Sequence, residues 1–193
     1  AELGALRGAG CVCFTDDGKP VMSAAVMRRA LQYAQVFDLP VMVHEEDLTL
    51  SAGGAMTEGA RSTRLGLLPI PASAEVAMVA RDLVLLEEAG GRLHIAHLSC
   101  AASVALVREA KRRGLHVTAE AAPHHFSLTD EAVEGWNTHA KMNPPLRHPE
   151  DVSAVREGLA DGTIDAIATD HAPHVVMDKQ VPYAEAANGV EAI

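Results

Sequence analysis

The chain has 193 residues, a formal net charge of −10 and an apolar share of 48%. The acidic balance argues against general nucleic-acid binding, and no apolar run approaches the roughly 20 residues that a membrane helix needs. No secretory signal pattern opens the sequence and its three cysteines form no Cys-x-x-Cys motif. We therefore expect a cytoplasmic protein without a disulfide framework.

Apolar runs that predict short strands alternate along the chain with segments of helical periodicity. The strand-like runs lie at 10–14, 40–44, 93–98, 116–121 and 164–169. Between them, apolar residues recur at helical spacing, first behind a Ser23 cap and then from Ser73 to a Gly-Gly pair. Two further helices are predicted to end at Gly114 and Gly162. This alternation is typical of a parallel sheet covered by helices, either a doubly wound sheet or a β/α barrel.

Side chains that can bind a metal follow four of these runs. Asp16 and Asp17 follow the first run and cannot be told apart from sequence; His44 closes the second run. His97 lies near the end of the third, and Asp170 follows the last. The carboxyl ends of barrel strands meet around one axis, whereas an open sheet brings together only neighbours at a switch point. Ligands from four strands therefore favour a barrel, and imidazole with carboxylate predicts a site for zinc or a related metal.

Other features near these strand ends receive weaker interpretations. His94 lies three residues before His97, and we expect it on the opposite strand face, packed outside the barrel or bonded to a backbone group. His124 and His125 follow the fourth run without ligand spacing, which indicates a supporting or structural role. The segment 47–72, rich in glycine and small residues, is either a cover over the mouth of the barrel or a plain surface loop.

Five segments, in this order, resemble dihydroorotase in the bacterial class I form of the amidohydrolase superfamily. They are Thr-Asp-Asp-Gly-Lys-Pro at 15–20, Val-His-Glu-Glu-Asp at 43–47, His-Ile-Ala-His-Leu-Ser at 94–99, Lys-Met-Asn-Pro-Pro-Leu-Arg at 141–147 and Ala-Thr-Asp-His-Ala-Pro-His at 168–174. The resemblance implies an α/β fold, a (β/α)8 TIM-type barrel of the metal-dependent hydrolase kind. The visible strands would be strands 4–8, so that residues 1–193 form the C-terminal portion of a catalytic barrel.

The resemblance also assigns roles to individual residues. Asp17 would bridge two metal ions, His44 and His97 would bind the second ion, and Asp170 would bind the first and act as general base and acid. The implied substrate contacts are Asn143, His174 and the backbone of Asn188 and Gly189, whereas His171 would have a supporting role. The family's His-x-His-x-Arg strand is missing, because no histidine precedes His44. We therefore expect these 193 residues alone to be inactive.

The implied activity is the reversible interconversion of dihydroorotate and N-carbamoyl-L-aspartate in pyrimidine biosynthesis, with one or two Zn²⁺ ions. The implied partners are this small-molecule substrate and either a second copy of the chain or aspartate carbamoyltransferase, with no nucleic acid and no membrane.

Three alternatives remain. Hydantoinases and allantoinases typically bridge their metals with a carboxylated lysine on the fourth strand. The run at 10–14 has no lysine, and Lys19 lies in a turn beside Pro20, which favours dihydroorotase. A non-catalytic homologue that acts as a scaffold would be expected to lose its ligands. An unrelated small metal-binding domain would not carry five ordered segments.

Overall fold

Helices and parallel strands alternate through residues 2–191, the part of the chain that this computed structural model describes. The strands are β1 (Phe14–Thr15), β2 (Val41–Val43), β3 (Met56–Thr57), β4 (Pro69–Ile70), β5 (Leu93–Ile95), β6 (Val117–Ala121) and β7 (Ala166–Ile167). The helices are α1 (Leu3–Gly8), α2 (Ala24–Ala34), α3 (Leu48–Ser51), α4 (Ala60–Leu65), α5 (Ser73–Ala89), α6 (Ala101–Arg112), α7 (Pro123–Ser127), α8 (Pro149–Ala160) and α9 (Val176–Lys179). Within these residues, no helix combines the length and apolarity that a membrane crossing requires.

Local sequence explains where the main helices begin and end. The Ser23 hydroxyl accepts a hydrogen bond from the Val26 amide at 3.4 Å and so caps α2, as predicted. Helix α5 ends at Gly90, whose φ of 73° is left-handed and favours glycine. Three single-turn 3-10 helices complete the described part of the chain, at Gln35–Phe37, Asp130–Val133 and Thr138–Ala140.

The five predicted strand runs all contribute to one parallel sheet, with the order β1-β2-β5-β6-β7 among the described residues. The paired portions are shorter than the predicted runs. Only Phe14 of the run at 10–14 pairs, because β1 has a neighbour on one side alone in the described chain. The strand order follows the chain order without reversal, so all five carboxyl ends lie along one edge of the sheet.

The long helices all cover the same face of this sheet. Val41 and Val43 of β2 and Leu93 and Ile95 of β5 pack into one buried core with side chains from α2, α5, α6 and α8. A doubly wound sheet carries helices on both faces, whereas a barrel carries them only outside. The one-sided cover and the sequential strand order therefore describe an arc of a barrel.

The other face of the arc is polar, and His94 lies on it. Its Nδ1 lies 2.8 Å from the Thr118 hydroxyl and its Nε2 lies 3.0 Å from a carboxylate oxygen of Glu120. The expectation that His94 packs outside the barrel is wrong, because side chains alternate along a strand and the neighbouring Leu93 and Ile95 face the helices. His94 thus points to the inside of the arc.

The segment 47–72 forms helices and strands of its own and is not a plain surface loop. It contains α3 and α4 together with β3 and β4, which pair in parallel. Met56 and Leu65 are buried against Val133, Ala140 and Leu146. The segment 47–72 therefore packs against residues that precede and follow Asn143 in the sequence.

Candidate metal centre

Three side chains bring metal-ligating atoms together at the carboxyl edge of the sheet. They are Asp17, His44 and His97, which follow the adjacent strands β1, β2 and β5. His44 Nδ1 lies 3.0 Å from His97 Nε2, and Asp17 Oδ1 lies 3.4 Å from the first nitrogen and 3.3 Å from the second. The parallel strand order thus places predicted ligands that are up to 80 residues apart in the chain in one cluster.

These three donors fit a divalent metal ion. Ligand atoms held about 2.0–2.1 Å from a tetrahedral zinc ion lie roughly 3.3–3.4 Å from one another, which is close to the separations seen here. Two imidazoles and one carboxylate are also a common donor set of hydrolytic zinc sites, which keep a further position open. The fit identifies Asp17, His44 and His97 as the candidate metal centre.

The structure separates the two aspartates that the sequence could not. One carboxylate oxygen of Asp16 accepts a hydrogen bond from the His44 amide at 2.9 Å, and the other accepts one from the Val21 amide at 2.8 Å. Asp16 therefore fastens the end of β1 to the end of β2. Asp17 is left to face the histidines, and their hydrogen bonds, that of His44 first, lower the pKa of its carboxyl.

Glu46 belongs to this centre, although the sequence pattern alone does not predict a role for it. Its Oε2 lies 3.0 Å from His44 Nε2 and accepts a hydrogen bond from the Asn143 amide at 2.9 Å. The hydrogen bond with His44 is the main cause that lowers the pKa of Glu46 to about 2. The available signal was its position two residues after His44, since alternate residues of an extended segment share a face. A carboxylate on the distal nitrogen of a ligating imidazole fixes the orientation of that ring.

Two carboxylates act on the imidazole of His44. Burial of the ring disfavours the cation, but the carboxylates of Asp17 and Glu46 outweigh it and raise the pKa of His44 to about 9. Three ionisable side chains, Asp17, Glu46 and His97, thus lie 3.0–3.4 Å from the nitrogens of this imidazole.

Two of the predicted ligands have left-handed backbone conformations. His97 has φ of 35° and Asp170 has φ of 46°. Such values are uncommon for residues with a Cβ, cost about 1–3 kcal/mol each and concentrate at functional sites. Both residues follow a strand, and their left-handed backbone interrupts the alternation of side chains that a strand would continue.

Asp170 lies near the metal centre but does not join the three-donor cluster in the described residues. Burial is the main cause that raises the pKa of its carboxyl, with Asp17 raising it further while His97 and His44 oppose this. These interactions place its carboxylate within electrostatic range of the cluster. Its assignment as a ligand stays a prediction.

The predicted substrate contacts lie in two places. Asn143 reaches the metal centre through Glu46. His174 and Gly189 line a cavity of about 580 Å³, together with His124 and Lys179. His174 Nε2 donates to the Asn188 carbonyl at 2.9 Å, which joins His174 to the Asn188–Gly189 backbone.

The remaining histidines support the surroundings of the centre. His125 Nε2 donates to the Pro144 carbonyl at 3.0 Å, one residue after Asn143, and burial lowers its pKa. His124 is buried and both its ring nitrogens lack a hydrogen-bond partner. His171 pairs with Val190 through a parallel bridge. The supporting roles of these three histidines stay predictions.

Known proteins resemble the chain along its whole length. A family model described as Dihydro-orotase-like matches residues 1–103. The dihydroorotase of Anaeromyxobacter sp. (strain K) is 61% identical over 192 residues, which are 98% of this chain and 44% of that protein. The dihydroorotase of Pelotomaculum thermopropionicum is 64% identical over 183 residues, 95% of this chain and 43% of that protein. The chain therefore spans less than half the length of these curated relatives.

Solved structures agree with the barrel prediction. The L-hydantoinase of Arthrobacter aurescens superposes with a TM-score of 0.83 at 26% identity, covering 98% of this chain and 45% of the other. The dihydroorotase of Saccharomyces cerevisiae in complex with 5-fluoroorotic acid superposes with a TM-score of 0.74 at 18% identity, covering 98% and 53%. The predicted fold class and the resemblance that carried it are confirmed. With a family model over more than half of its residues and relatives at about 60% identity, the chain belongs to the dihydroorotase-like family.

Proposed function

We propose that the full-length protein is a zinc-dependent cyclic amide hydrolase that interconverts dihydroorotate and N-carbamoyl-L-aspartate. The observation that carries this proposal is the cluster of Asp17, His44 and His97 at three adjacent strand ends, with donor atoms 3.0–3.4 Å apart. It occurs in a chain that is 61% identical to a relative named dihydroorotase. Residues 1–193 contribute the C-terminal portion of the catalytic barrel, as strands 4–8.

The residues of the chain divide the work of hydrolysis. Asp17, His44 and His97 would hold zinc, which would lower the pKa of water towards neutrality and polarise the amide carbonyl. Asp170 accepts the proton of the attacking water and passes it to the departing ring nitrogen, because a positioned carboxyl can act as base and then as acid. Burial keeps the carboxyl of Asp170 more basic than an exposed one, which suits this role.

Polar groups near the metal centre and the cavity bind the substrate. Asn143 is held by Glu46 beside the metal centre and can present its amide to the ring of the substrate. His174 and the Asn188–Gly189 backbone offer further donors and acceptors next to the cavity. Together they contact the carboxylate and ring amides of dihydroorotate.

A hydantoinase-like activity is the second candidate, because the L-hydantoinase of Arthrobacter aurescens shares the fold. The geometry weighs against it: the group that meets the two histidines from the end of β1 is the carboxylate of Asp17 and not a lysine. Dihydroorotase is therefore preferred.

The function is tested by metal analysis of the full-length protein, followed by turnover of dihydroorotate and of hydantoin. We expect bound zinc and turnover of dihydroorotate. Little bound metal and no turnover would refute the proposed enzymatic activity. Turnover of hydantoin alone would instead support the hydantoinase-like activity.

Removal of one ligand tests the centre itself. His97→Ala deletes one of three donors, so we expect metal affinity to fall by at least roughly 10- to 100-fold. The matched control is His116→Ala, which removes an exposed imidazole from the segment before β6. Metal stoichiometry after dialysis against a chelator is the measurement, and equal retention by both variants would exclude His97 as a ligand.

We further propose that the protein works in the cytoplasm, as a homodimer or in association with aspartate carbamoyltransferase. Sedimentation of the full-length protein, alone and with that enzyme, distinguishes these assemblies from a monomer.

A further inference from the structure

Two lysines are buried next to the predicted substrate backbone. Lys141 follows the 3-10 turn Thr138–Ala140 and is 6% exposed, and Lys179 is the last residue of α9 and is 5% exposed. An ammonium group that loses its water is costly unless other acceptors replace that water. Burial accordingly lowers the pKa of both lysines.

Main-chain carbonyls supply these acceptors. Lys141 Nζ donates to the carbonyls of Ala184 at 2.8 Å and Ala186 at 2.7 Å. Lys179 Nζ donates to those of Thr138 at 3.1 Å, Ala187 at 2.8 Å and Gly189 at 2.7 Å, which uses all three of its hydrogens. Four of the five acceptors thus belong to the segment 184–189.

The main-chain carbonyls of the same two lysines also accept hydrogen bonds. The Gly189 amide donates to the Lys141 carbonyl at 2.9 Å, and the Thr138 hydroxyl donates to the Lys179 carbonyl at 2.7 Å. The segment 184–190 is therefore bonded to two separate parts of the chain, at Lys141 and at Lys179.

The fixed segment in turn holds the loop that follows β7. The Asn188 carbonyl accepts from His174 Nε2 at 2.9 Å, and the Val190 carbonyl accepts from the Ala172 amide at 3.1 Å. A Cβ on Gly189 would lie 2.3 Å from the Ala172 carbonyl oxygen, which shows how closely the two backbones approach.

We propose that Lys141 and Lys179 are positioning residues, whose ammonium groups hold the segment 184–190 so that its Asn188–Gly189 backbone and His174 meet the anionic substrate. This inference rests on the proposed function for the identity of the substrate. Neither lysine is part of the metal centre, and both ammonium groups donate to main-chain carbonyls, so we expect their effect to be carried by the backbone that they bind.

The test compares Lys179→Met and Lys141→Met in the full-length protein with the control Lys111→Met. Methionine keeps the length of the side chain and removes the donors. Lys111 is also a lysine with several bonds, to Asp165 and to the Gly162 carbonyl, but it lies on α6 away from the cavity. We expect KM for dihydroorotate to rise by about 10- to 100-fold in the first two variants, with a smaller change in kcat. Metal stoichiometry should remain that of the wild type, and Lys111→Met should leave KM unchanged.

Hydrogen exchange of the amides in 184–190 provides a readout that does not need turnover. We expect faster exchange there in the Lys179→Met and Lys141→Met proteins but not in the control. A lower melting temperature with unchanged KM, or failure of both variants to fold, would assign the lysines to overall stability and overturn the proposal. If the wild type does not convert dihydroorotate, the proposed function fails, while the exchange result still decides whether the lysines hold the segment.

Discussion

At the scale of single residues, the centre depends on carboxylates that orient imidazoles. Asp17 and Glu46 approach opposite nitrogens of the His44 ring, at 3.4 Å and 3.0 Å. Glu46 also accepts from Asn143, so one carboxylate links a predicted metal ligand to a predicted substrate contact. The position of Asn143 and the angle of the His44 ring are therefore coupled.

Asp170→Asn tests the proton transfer. Asparagine tolerates a left-handed backbone as aspartate does, so the variant should keep its fold at φ of 46°. We expect kcat to fall by roughly 10²- to 10⁴-fold because the amide cannot accept the proton. Steady-state rates and circular dichroism are measured beside Asp38→Asn, an exposed aspartate paired with Arg92. Near-normal turnover would remove Asp170 from the role of base.

Asn143→Ala tests the substrate contact. Loss of the amide removes one hydrogen bond to the substrate and one to Glu46, so we expect KM to rise by about tenfold, or about 1.4 kcal/mol. Initial rates over a range of dihydroorotate concentrations separate KM from kcat. An unchanged KM would place Asn143 outside the substrate site.

At the scale of elements, a buried ionic network joins α5 to the two segments that carry site residues. Glu75 of α5 accepts from the amides of Ser99 at 3.3 Å and Cys100 at 3.1 Å, just after His97, and from the Ser99 hydroxyl. Arg147 Nε donates to the same hydroxyl at 2.9 Å, and its Nη2 lies 3.6 Å from Glu75. Arg147 is four residues after Asn143, so this network sets the distance between the loop after β5 and the Asn143 segment.

Arg147→Met should destabilise the protein by about 3–5 kcal/mol, because it leaves the buried carboxylate of Glu75 without its cation. The double variant Glu75→Gln with Arg147→Met removes that isolated charge and should recover part of the loss. Urea unfolding of Arg147→Met, Glu75→Gln and the double variant measures the three free energies of unfolding. Additive losses would mean that the two side chains are not coupled.

At the scale of the whole molecule, the sheet of the described chain has an open edge. β7 pairs with β6 on one side, and Ile167 on this strand is 57% exposed. An exposed apolar strand edge is a site of association between chains.

The 193 residues expressed alone should therefore self-associate through this edge. We expect Ile167→Lys to weaken self-association by about tenfold, since a charge at an open edge opposes pairing. Val84→Lys, on an equally accessible position of α5 at 64% exposure, should have no such effect. Sedimentation velocity at matched concentrations makes the comparison, and equal behaviour of both variants would contradict association through β7.

The sequence by itself determined the alternation of strands and helices and the residues that end the strands. Apolar runs and helical periodicity are local properties, and His44 and His97 could be predicted as ligands because each lies at or near the end of such a run. Ser23 at the start of α2 was likewise predicted from local chemistry, since a cap needs only its own first turn.

Only the tertiary structure decided which neighbouring side chain performs which task. Asp17 and not Asp16 meets the histidines because Asp16 accepts hydrogen bonds from the amides of His44, directly after β2, and of Val21. His94 faces the inside of the arc because the helices cover the other side of its strand. Glu46 meets Asn143 across 97 residues of chain. Such contacts depend on strand order and side-chain rotation, which local sequence does not specify.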